Sequence, residues 1–447
     1  MTGRQLPRGW VSATLSQVAS WGSGGTPKRD KSEYYGGPIP WSVIGDLTDG
    51  PVSSTSETIS TAGLDASSAK MVPKDAVLIA MYGSIGKLGL PQIEMATNQA
   101  IAFAVPHRDI IDRRFLFWFL RSARDELVAA GKGGTQQNIS QTILKNWQIP
   151  LPPLAEQHRI VDVLEANLSR LDAAEATLRQ SVARLRSLTA TTINYSLSAA
   201  PASERCAAPP APADVVDGDL PPLPTSWRWQ RLGELAHVVG GITKDAKKQS
   251  NPQLPLHPYL RVANVQAGYL DLDHITEIRA SPAQVEKLTL QRGDVLLNEG
   301  GDRDKLGRGW VWEDQIPKCI HQNHVFRARV IGGQIDPRLI AWHANSFGRG
   351  WFIRNGKQSV NLASVSLTTI RSFPIPVPPA REQPAIVARI SEGLEQFERG
   401  TAAIGTALER STSLRQALLR AAFTGELVEQ GFVDDPAAAT LTGNWSR

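Results

Sequence analysis

Clusters of basic and amide side chains recur in loops of both halves of this chain, and their chemistry suits a nucleic acid. Lysine and arginine neutralise phosphates, while arginine, asparagine and glutamine read base edges through paired hydrogen bonds. One such residue alone is more often solvated surface, so the weight comes from recurrence at matching places. The candidates are Lys28, Arg29, Lys31, Asn98, Gln99, Lys132, Gln136, Gln137, Asn138, Lys244, Lys247, Lys248, Arg303, Lys305, Arg308, Gln322, Asn323, Lys357 and Gln358. We predict that these loops contact double-stranded DNA.

Signatures of catalysis are missing from the same sequence. Gly86-Lys87 and Gly131-Lys132 lack the upstream glycine and the following hydroxyl of a loop that binds nucleoside triphosphates. There is no Asn-Pro-Pro-Tyr or Asp-Pro-Pro-Tyr segment, of the kind with which amino-methyltransferases grip a flipped adenine. Cys319, His321 and His324 make no plausible zinc site alone. We therefore expect a non-catalytic chain that holds no metal and no cofactor.

Composition bounds the class of protein. The chain has 447 residues, enough for two or three domains, and its formal net charge of +5 permits a nucleic-acid partner without requiring one. Its two cysteines, Cys206 and Cys319, imply no disulfide framework and fit a reducing cytoplasm. No apolar run approaches the ~18 residues of a membrane helix. These features predict a cytoplasmic protein with no membrane partner.

The chain repeats itself over a long period. Leu6-Pro7-x-x-Trp10 returns as Leu223-Pro224-x-x-Trp227. The segment 149–157, Ile-Pro-Leu-Pro-Pro-Leu-Ala-Glu-Gln, returns at 375–383 as Ile-Pro-Val-Pro-Pro-Ala-Arg-Glu-Gln. Because the matches keep their order and the period is far longer than that of a solenoid, they indicate a duplicated domain.

The first part of each repeat reads as a compact α+β globule. Strand-like runs such as Val77–Ala80 and Asp294–Leu297 lie between glycine-rich turns, and one amphipathic helix is predicted at about 113–130 and again at about 337–353.

The second part of each repeat is predicted to be one long helix, from 154 to about Ser198 and from about Glu382 to Phe423. Apolar residues at spacings of three and four residues form a coiled-coil seam in each, interrupted by Glu175 and Thr401. The seam includes Leu164, Leu168, Leu171, Leu178, Leu185, Ile390, Leu394, Phe397, Ile404 and Leu408. We expect the two helices to pair antiparallel and to separate the globules; the alternative is that each helix packs on its own globule.

The predicted domain plan follows from these patterns. The first globular domain covers 1–153, the central spacer helix 154–199, and a linker rich in proline and alanine 200–223. The second globular domain covers 224–379, the C-terminal spacer helix 380–425, and a tail 426–447.

Several of these segments together resemble the specificity subunit of type I restriction–modification systems, over almost the whole chain. The resemblance is carried by Gly24-Gly25-Thr26-Pro27, Ile39-Pro40-Trp41, Asn98-Gln99, the residues from Gly133 to Ser140, the twice-found proline stop before Glu-Gln, and the segment from Leu414 to Leu427. The second half departs from the pattern, because Gly241-Ile242-Thr243-Lys244 replaces Gly-Gly-Thr-Pro.

The resemblance implies two target-recognition domains, each reading half of a split DNA target. It also implies that the paired helices set the gap between the halves and dock two methyltransferase subunits, and that restriction/translocase subunits join the assembly. Adenine methylation, ATP use and cleavage would belong to those partners.

Three other interpretations stay open on the sequence alone. The chain could be a stand-alone methyltransferase or nuclease with a diverged site, which binding of S-adenosylmethionine by the isolated chain would reveal. It could be a coiled-coil scaffold for proteins, whose binding would depend far less on salt than DNA binding does. It could also be the recognition subunit of another DNA-modification-based phage-defence system.

Overall fold

The computed structural model describes residues 6–131, 138–198, 210–301, 305–358 and 363–429. Its internal contacts divide the chain into unit 1, residues 1–178 with 405–447, and unit 2, residues 179–404. Two long helices, Leu154–Ser198 and Gln383–Thr424, each contribute one part to unit 1 and the other part to unit 2. Among the helices that the structure describes, none has both the length and the apolar character to cross a membrane.

The globule of unit 1 is built from two main sheets. The larger has five strands, in the spatial order Ala19–Ser23, Ile101–Pro106, Val77–Ala80, Leu88–Pro91 and Gly50–Val52. The smaller has four, in the order Glu57–Ile59, Tyr35–Ser42, Met95–Thr97 and Met71–Val72. Val11–Thr14 pairs with Gln148–Leu151, and short helices cover Leu15–Val18, Thr61–Asp65 and Gln141–Lys145. All four side chains of Val77–Ala80 are buried, as expected for a continuous apolar strand.

The globule of unit 2 repeats this plan. Its four-stranded sheet runs in the order Ala236–Val239, Val325–Val330, Val295–Asn298 and Gly309–Val311. One three-stranded sheet contains Thr276–Arg279, Leu256–Leu260 and Ile320–His321, and another contains Gly300–Gly301, Ala363–Ser364 and Lys357–Gln358. Arg228–Arg231 pairs with Pro374–Val377, and short helices cover Leu232–Leu235, Ala246–Gln249, Pro282–Leu288 and Leu367–Arg371. The predicted fold class, two similar α+β domains with long helices, is confirmed.

The amphipathic helix predicted in each globule is in fact two helices. Arg113–Ser122 and Arg124–Ala130 are separated at Ala123, whose ψ of 1° leaves the helical range. Pro337–Asn345 and Phe347–Asn355 are separated at Ser346, whose hydroxyl donates to the carbonyl of Trp342 at 2.8 Å. A serine side chain that competes for a helix carbonyl favours such a break.

The Glu-Gln pair found twice in the sequence fixes the start of each long helix. Gln157 is fully buried, and its Nε2 donates to the carbonyls of Ile110 and Pro152, both at 2.9 Å, while its Oε1 accepts from the Asp112 amide at 2.8 Å. The neighbouring Glu156 accepts from the indole nitrogen of Trp10 at 3.1 Å. The motif is therefore structural, since it satisfies buried polar groups where globule and helix meet.

Unit 2 repeats these bonds with Gln383 and Glu382. Gln383 Nε2 donates to the carbonyls of Gln334 and Pro378 at 3.0 Å, and its Oε1 accepts from the Asp336 amide at 2.8 Å. The indole of Trp227 donates to Glu382 at 2.9 Å. The recurring Leu-Pro-x-x-Trp segment thus supplies the partner of the recurring glutamate.

Within each unit the two long helices run antiparallel. In unit 1, Arg415 lies 2.7 Å from Asp172, and the Ser411 hydroxyl donates to Glu175 Oε1 at 2.7 Å. In unit 2, a Cβ on Gly400 would lie 3.1 Å from Leu185, and one on Gly393 would lie 3.6 Å from Thr192. Residue numbers fall on one helix as they rise on the other, which confirms the antiparallel pairing. The polar Glu175 in the seam is accommodated because Ser411 and Arg415 bind its carboxylate.

The predicted seam residues line these contacts to different depths. Leu164, Leu168 and Ile390 are buried, because they lie next to a globule core. The others are half-buried: Leu171, Leu178, Leu185, Leu394, Phe397, Ile404 and Leu408.

The described part of the proline-rich segment, residues 210–224, packs on the globule of unit 2. Asp217 accepts from Arg231 at 2.7 Å and from the indole of Trp351 at 3.0 Å, and Leu223 is fully buried. Residues 200–209 of the predicted linker lie outside the described residues.

Candidate nucleic-acid interface

Backbone hydrogen bonds bring four loop segments of unit 1 together. The Gly25 amide donates to the Thr97 carbonyl at 2.9 Å, which joins the first glycine-rich loop to Asn98-Gln99. The Met81 amide donates to Ala100 and the Ile139 amide donates to Met81, both at 2.8 Å. The Thr26 hydroxyl also hydrogen-bonds to Gln99. The structure therefore gathers segments that lie far apart in sequence.

Unit 2 gathers its loops with the same bonds. The Ile242 amide donates to the His321 carbonyl at 2.8 Å, the Glu299 amide to His324 at 2.9 Å, and the Val365 amide to Glu299 at 2.8 Å. These bonds match residues one to one between the units. Ile242 corresponds to Gly25, Glu299 to Met81, His324 to Ala100, and Asn323 to Gln99. We call each set the loop set of its unit.

A glycine is needed at one matched position of both loop sets. A Cβ on Gly24 would lie 2.0 Å from the Thr97 carbonyl oxygen, and one on Gly241 would lie 1.9 Å from that of His321. Because backbone atoms cannot give way at such distances, only glycine fits. The glycine-rich loop is therefore a close backbone crossing.

The predicted residues of unit 1 divide by their contacts. Arg29 is paired within its own globule although its side chain is 58% exposed. It donates to Glu57 at 2.6 and 3.2 Å, and its guanidinium lies 4.8 Å from the Tyr35 ring centroid. Its hydrogen bond to Glu57 raises the pKa of the Arg29 guanidinium. Lys28 and Lys31 are exposed on the same loop. Arg29 thus shapes the loop that presents the two lysines.

The amide residues of unit 1 also differ in role. Asn98 Oδ1 accepts from the Ala100 amide at 3.1 Å, so this side chain holds the turn. Gln99 and Asn138 are exposed beside Tyr82, a residue that the sequence did not single out. Burial raises the pKa of the Tyr82 hydroxyl, which reinforces the neutral form that a tyrosine already has near neutral pH. Lys132, Gln136, Gln137 and Arg303 lie outside the described residues.

The predicted residues of unit 2 that the structure describes are exposed or half-buried. Lys244, Lys247 and Lys248 are exposed around the short helix Ala246–Gln249, and Lys357 and Gln358 are exposed on their strand. Lys305, Arg308, Gln322 and Asn323 are half-buried. Two residues outside the predicted set, Glu299 and His324, lie among them. Their place in the loop set could be seen only once the backbone hydrogen bonds had matched the two units.

Cys319 and His321 are core residues of the second globule. Burial raises the pKa of Cys319 to about 12 and lowers that of His321 to about 4, so near neutral pH Cys319 is a thiol and His321 is a neutral imidazole. His321 Nδ1 donates to the Val325 carbonyl at 2.6 Å. In the described part of the chain, no group of three or more potential metal-ligating side chains converges.

Comparisons with known proteins agree on one family. The profile of the family described as type I restriction modification DNA specificity domain matches residues 7–184. The EcoKI specificity subunit of Escherichia coli K12 is 23% identical over 98% of this chain and 93% of its own length. The StySPI specificity subunit of Salmonella potsdam is 24% identical over the same shares.

Solved structures show the same fold. A chain from a study of assembly and conformational transition of the type I R-M system aligns with a TM-score of 0.70 and 20% identity, over 95% of this chain and all of its own. The HsdS subunit of Thermoanaerobacter tengcongensis aligns with a TM-score of 0.60 and 20% identity, over 95% of this chain and 99% of its own. The family profile over residues 7–184, the full-length relatives and the shared fold all indicate a specificity subunit of a type I restriction–modification system.

Proposed function

We propose that this chain is the DNA-recognition subunit of a type I restriction–modification complex, and that each globule reads one half of a bipartite target. The observation that carries the proposal is the pair of loop sets, which share their backbone bonds and differ in side chains. Where unit 1 has Met81 and Ala100, unit 2 has Glu299 and His324. Two loop sets with the same backbone hydrogen bonds and different side chains at matched positions suit the reading of two different half-sites.

The subunit itself is non-catalytic, as its similarity to type I specificity subunits indicates. Its partners are DNA and the modification and restriction subunits of the complex. Adenine methylation would belong to the methyltransferase subunits, and ATP use and cleavage to the restriction/translocase subunits. Such an assembly would act on DNA in the cytoplasm.

We assign the docking of two methyltransferase subunits to the long helices. Leu188 and Leu414 lie 226 residues apart, the same separation as Gln157 and Gln383, and so occupy matched helix positions. Their exposed fractions are 63% and 50%, which is high for leucine. Two matched apolar side chains in solvent suit two copies of one partner.

Mapping methylated adenines in cells that express the complete system tests this function. We expect a motif of two specified parts separated by an unspecified gap. A single uninterrupted motif, or no methylation that depends on this chain, would contradict the proposal.

A further inference from the structure

Unit 2 carries a short relay of hydrogen bonds at the centre of its loop set. Asn323 Nδ2 lies 3.3 Å from His324 Nε2, and His324 Nδ1 lies 2.7 Å from Glu299 Oε2. A neutral imidazole satisfies both contacts if Nε2 accepts from the amide and Nδ1–H donates to the carboxylate. Each member thereby orients the next, and the relay ends on an acceptor group.

The relay leaves one oxygen of the carboxylate available. Within the described part of the chain, Glu299 Oε1 receives no hydrogen bond, and the Glu299 side chain is 25% exposed. The His324 side chain is 53% exposed. The free oxygen therefore belongs to an oriented, accessible side chain.

The same positions in unit 1 hold no acceptor side chain. Met81 and Ala100, which make the matching backbone bond, are 8% and 3% exposed. The relay is thus a feature of one loop set and is not needed to form the shared backbone frame.

A carboxylate is an informative group on a surface that faces phosphates. Exposed lysines lie close in the chain or sheet to the loop set: Lys244, Lys247 and Lys248 soon follow Ile242, and Lys357 lies on the strand paired with Ala363–Ser364. Their positive charge attracts DNA, whereas DNA repels a carboxylate. A carboxylate at such a place contributes favourable binding free energy when it accepts a hydrogen bond from a base amino group. It disfavours bases that present only hydrogen-bond acceptors. Cytosine N4 and adenine N6 supply such donors in the major groove.

We infer that Glu299, oriented by His324 and Asn323, is a specificity-determining residue of unit 2 that accepts a hydrogen bond from the amino group of a cytosine or an adenine. This inference rests on the proposed function. It predicts that one half-site contains a position at which guanine and thymine are excluded chiefly by Glu299.

The test is methylome mapping in cells that express the complete system with Glu299→Ala. We expect one base pair of one half-site to become degenerate, so that guanine and thymine are accepted on the strand that carries the cytosine or adenine, with discrimination there falling about tenfold or more. The other half-site stays unchanged. Glu277→Ala is the matched control, because it removes an exposed acidic residue of the same globule. Glu277 lies on the strand Thr276–Arg279, which Leu256–Leu260 separates from Ile320–His321. It should leave the motif intact.

Other outcomes overturn the inference. An unchanged motif rules out the assigned contact, and so does a position that comes to accept only the exchange of adenine with cytosine on one strand, because both of those bases present an amino group. In either case the bipartite motif still supports the proposed function. If Glu299→Ala abolishes methylation, the position must be found by binding. Binding of the assembled complex is then measured on duplexes that carry each of the four bases at each position of the half-site read by unit 2. Equal weakening for all four bases means a structural role and rejects the inference, whereas weakening confined to the preferred base supports it. Absence of a bipartite motif in the parent system would instead refute the proposed function.

Discussion

At the scale of single residues, much of the side-chain chemistry secures the frame of the globules. Gln157 and Gln383 each make three hydrogen bonds inside the protein, and Arg29 is bound by Glu57. Polar residues of this kind resemble binding residues in a sequence. Only their partners show that they hold loops and helix starts in place.

Replacing Gln157 by methionine should destabilise unit 1. The substitution keeps the length of the side chain but leaves two carbonyls and one amide without partners in a buried place. Because each unsatisfied buried group costs about 1–3 kcal/mol, we expect a loss of roughly 3 kcal/mol or more. Urea unfolding followed by circular dichroism measures it. Gln180→Met, at an exposed position of the same helix, is the control, and equal midpoints for the two variants would refute the structural role.

His343 should make unit 2 sensitive to acid. It is buried between the rings of Phe347 and Phe373, and burial lowers its pKa from the usual 6.5 to about 3. The unfolded chain binds a proton below about pH 6.5 that the folded chain binds only near pH 3. The contribution of neutral His343 is therefore complete above pH 6.5 and is lost as the pH falls towards 3, by about 1.4 kcal/mol per pH unit.

The variant His343→Phe tests this dependence, because unit 1 has Phe119 at the matched position. Unfolding midpoints compared at pH 7 and pH 4.5 should differ less in the variant than in the parent chain. Some pH dependence of the unfolding midpoint should persist in the variant, since burial also lowers the pKa of His321 to about 4. An identical pH dependence of variant and parent would show that His343 does not contribute.

At the scale of elements, sequence periodicity predicted the long helices well and the short elements less well. The heptad seam and the proline stop marked helices that the structure places at Leu154–Ser198 and Gln383–Thr424. The breaks at Ala123 and Ser346 were missed, because each depends on one local conformation that leaves the apolar spacing intact. Helix periodicity reports which face is buried and is insensitive to such interruptions.

Substituting the exposed helix leucines should weaken partner docking one copy at a time. Burying a leucine side chain contributes ~1.5–3 kcal/mol, so Leu188→Ser should weaken one methyltransferase contact roughly 10- to 100-fold. Leu414→Ser should weaken the other, and the double variant both. Native mass spectrometry of the assembled complex counts the bound copies. Ala190→Ser, an exposed position on the same helix, should leave two, and two copies on the double variant would reject the assignment.

At the scale of the whole molecule, the duplication could be predicted but the chemical difference between its copies could not. Sequence matches such as 149–157 with 375–383 showed that two globules exist. The correspondence of Met81 with Glu299 and of Ala100 with His324 appears only in strand pairing and loop hydrogen bonds. Loop residues are aligned by long-range contacts, which local sequence patterns do not encode.

The central claim is that each globule reads its own half of the target. Exchanging residues from Trp10 to Trp147 for those of a relative with another target tests it directly, with methylated adenines mapped in cells that carry the complete system. We predict that one half of the motif changes to that of the relative, while the other half and the gap stay the same. A change in both halves, or in neither, would contradict the account.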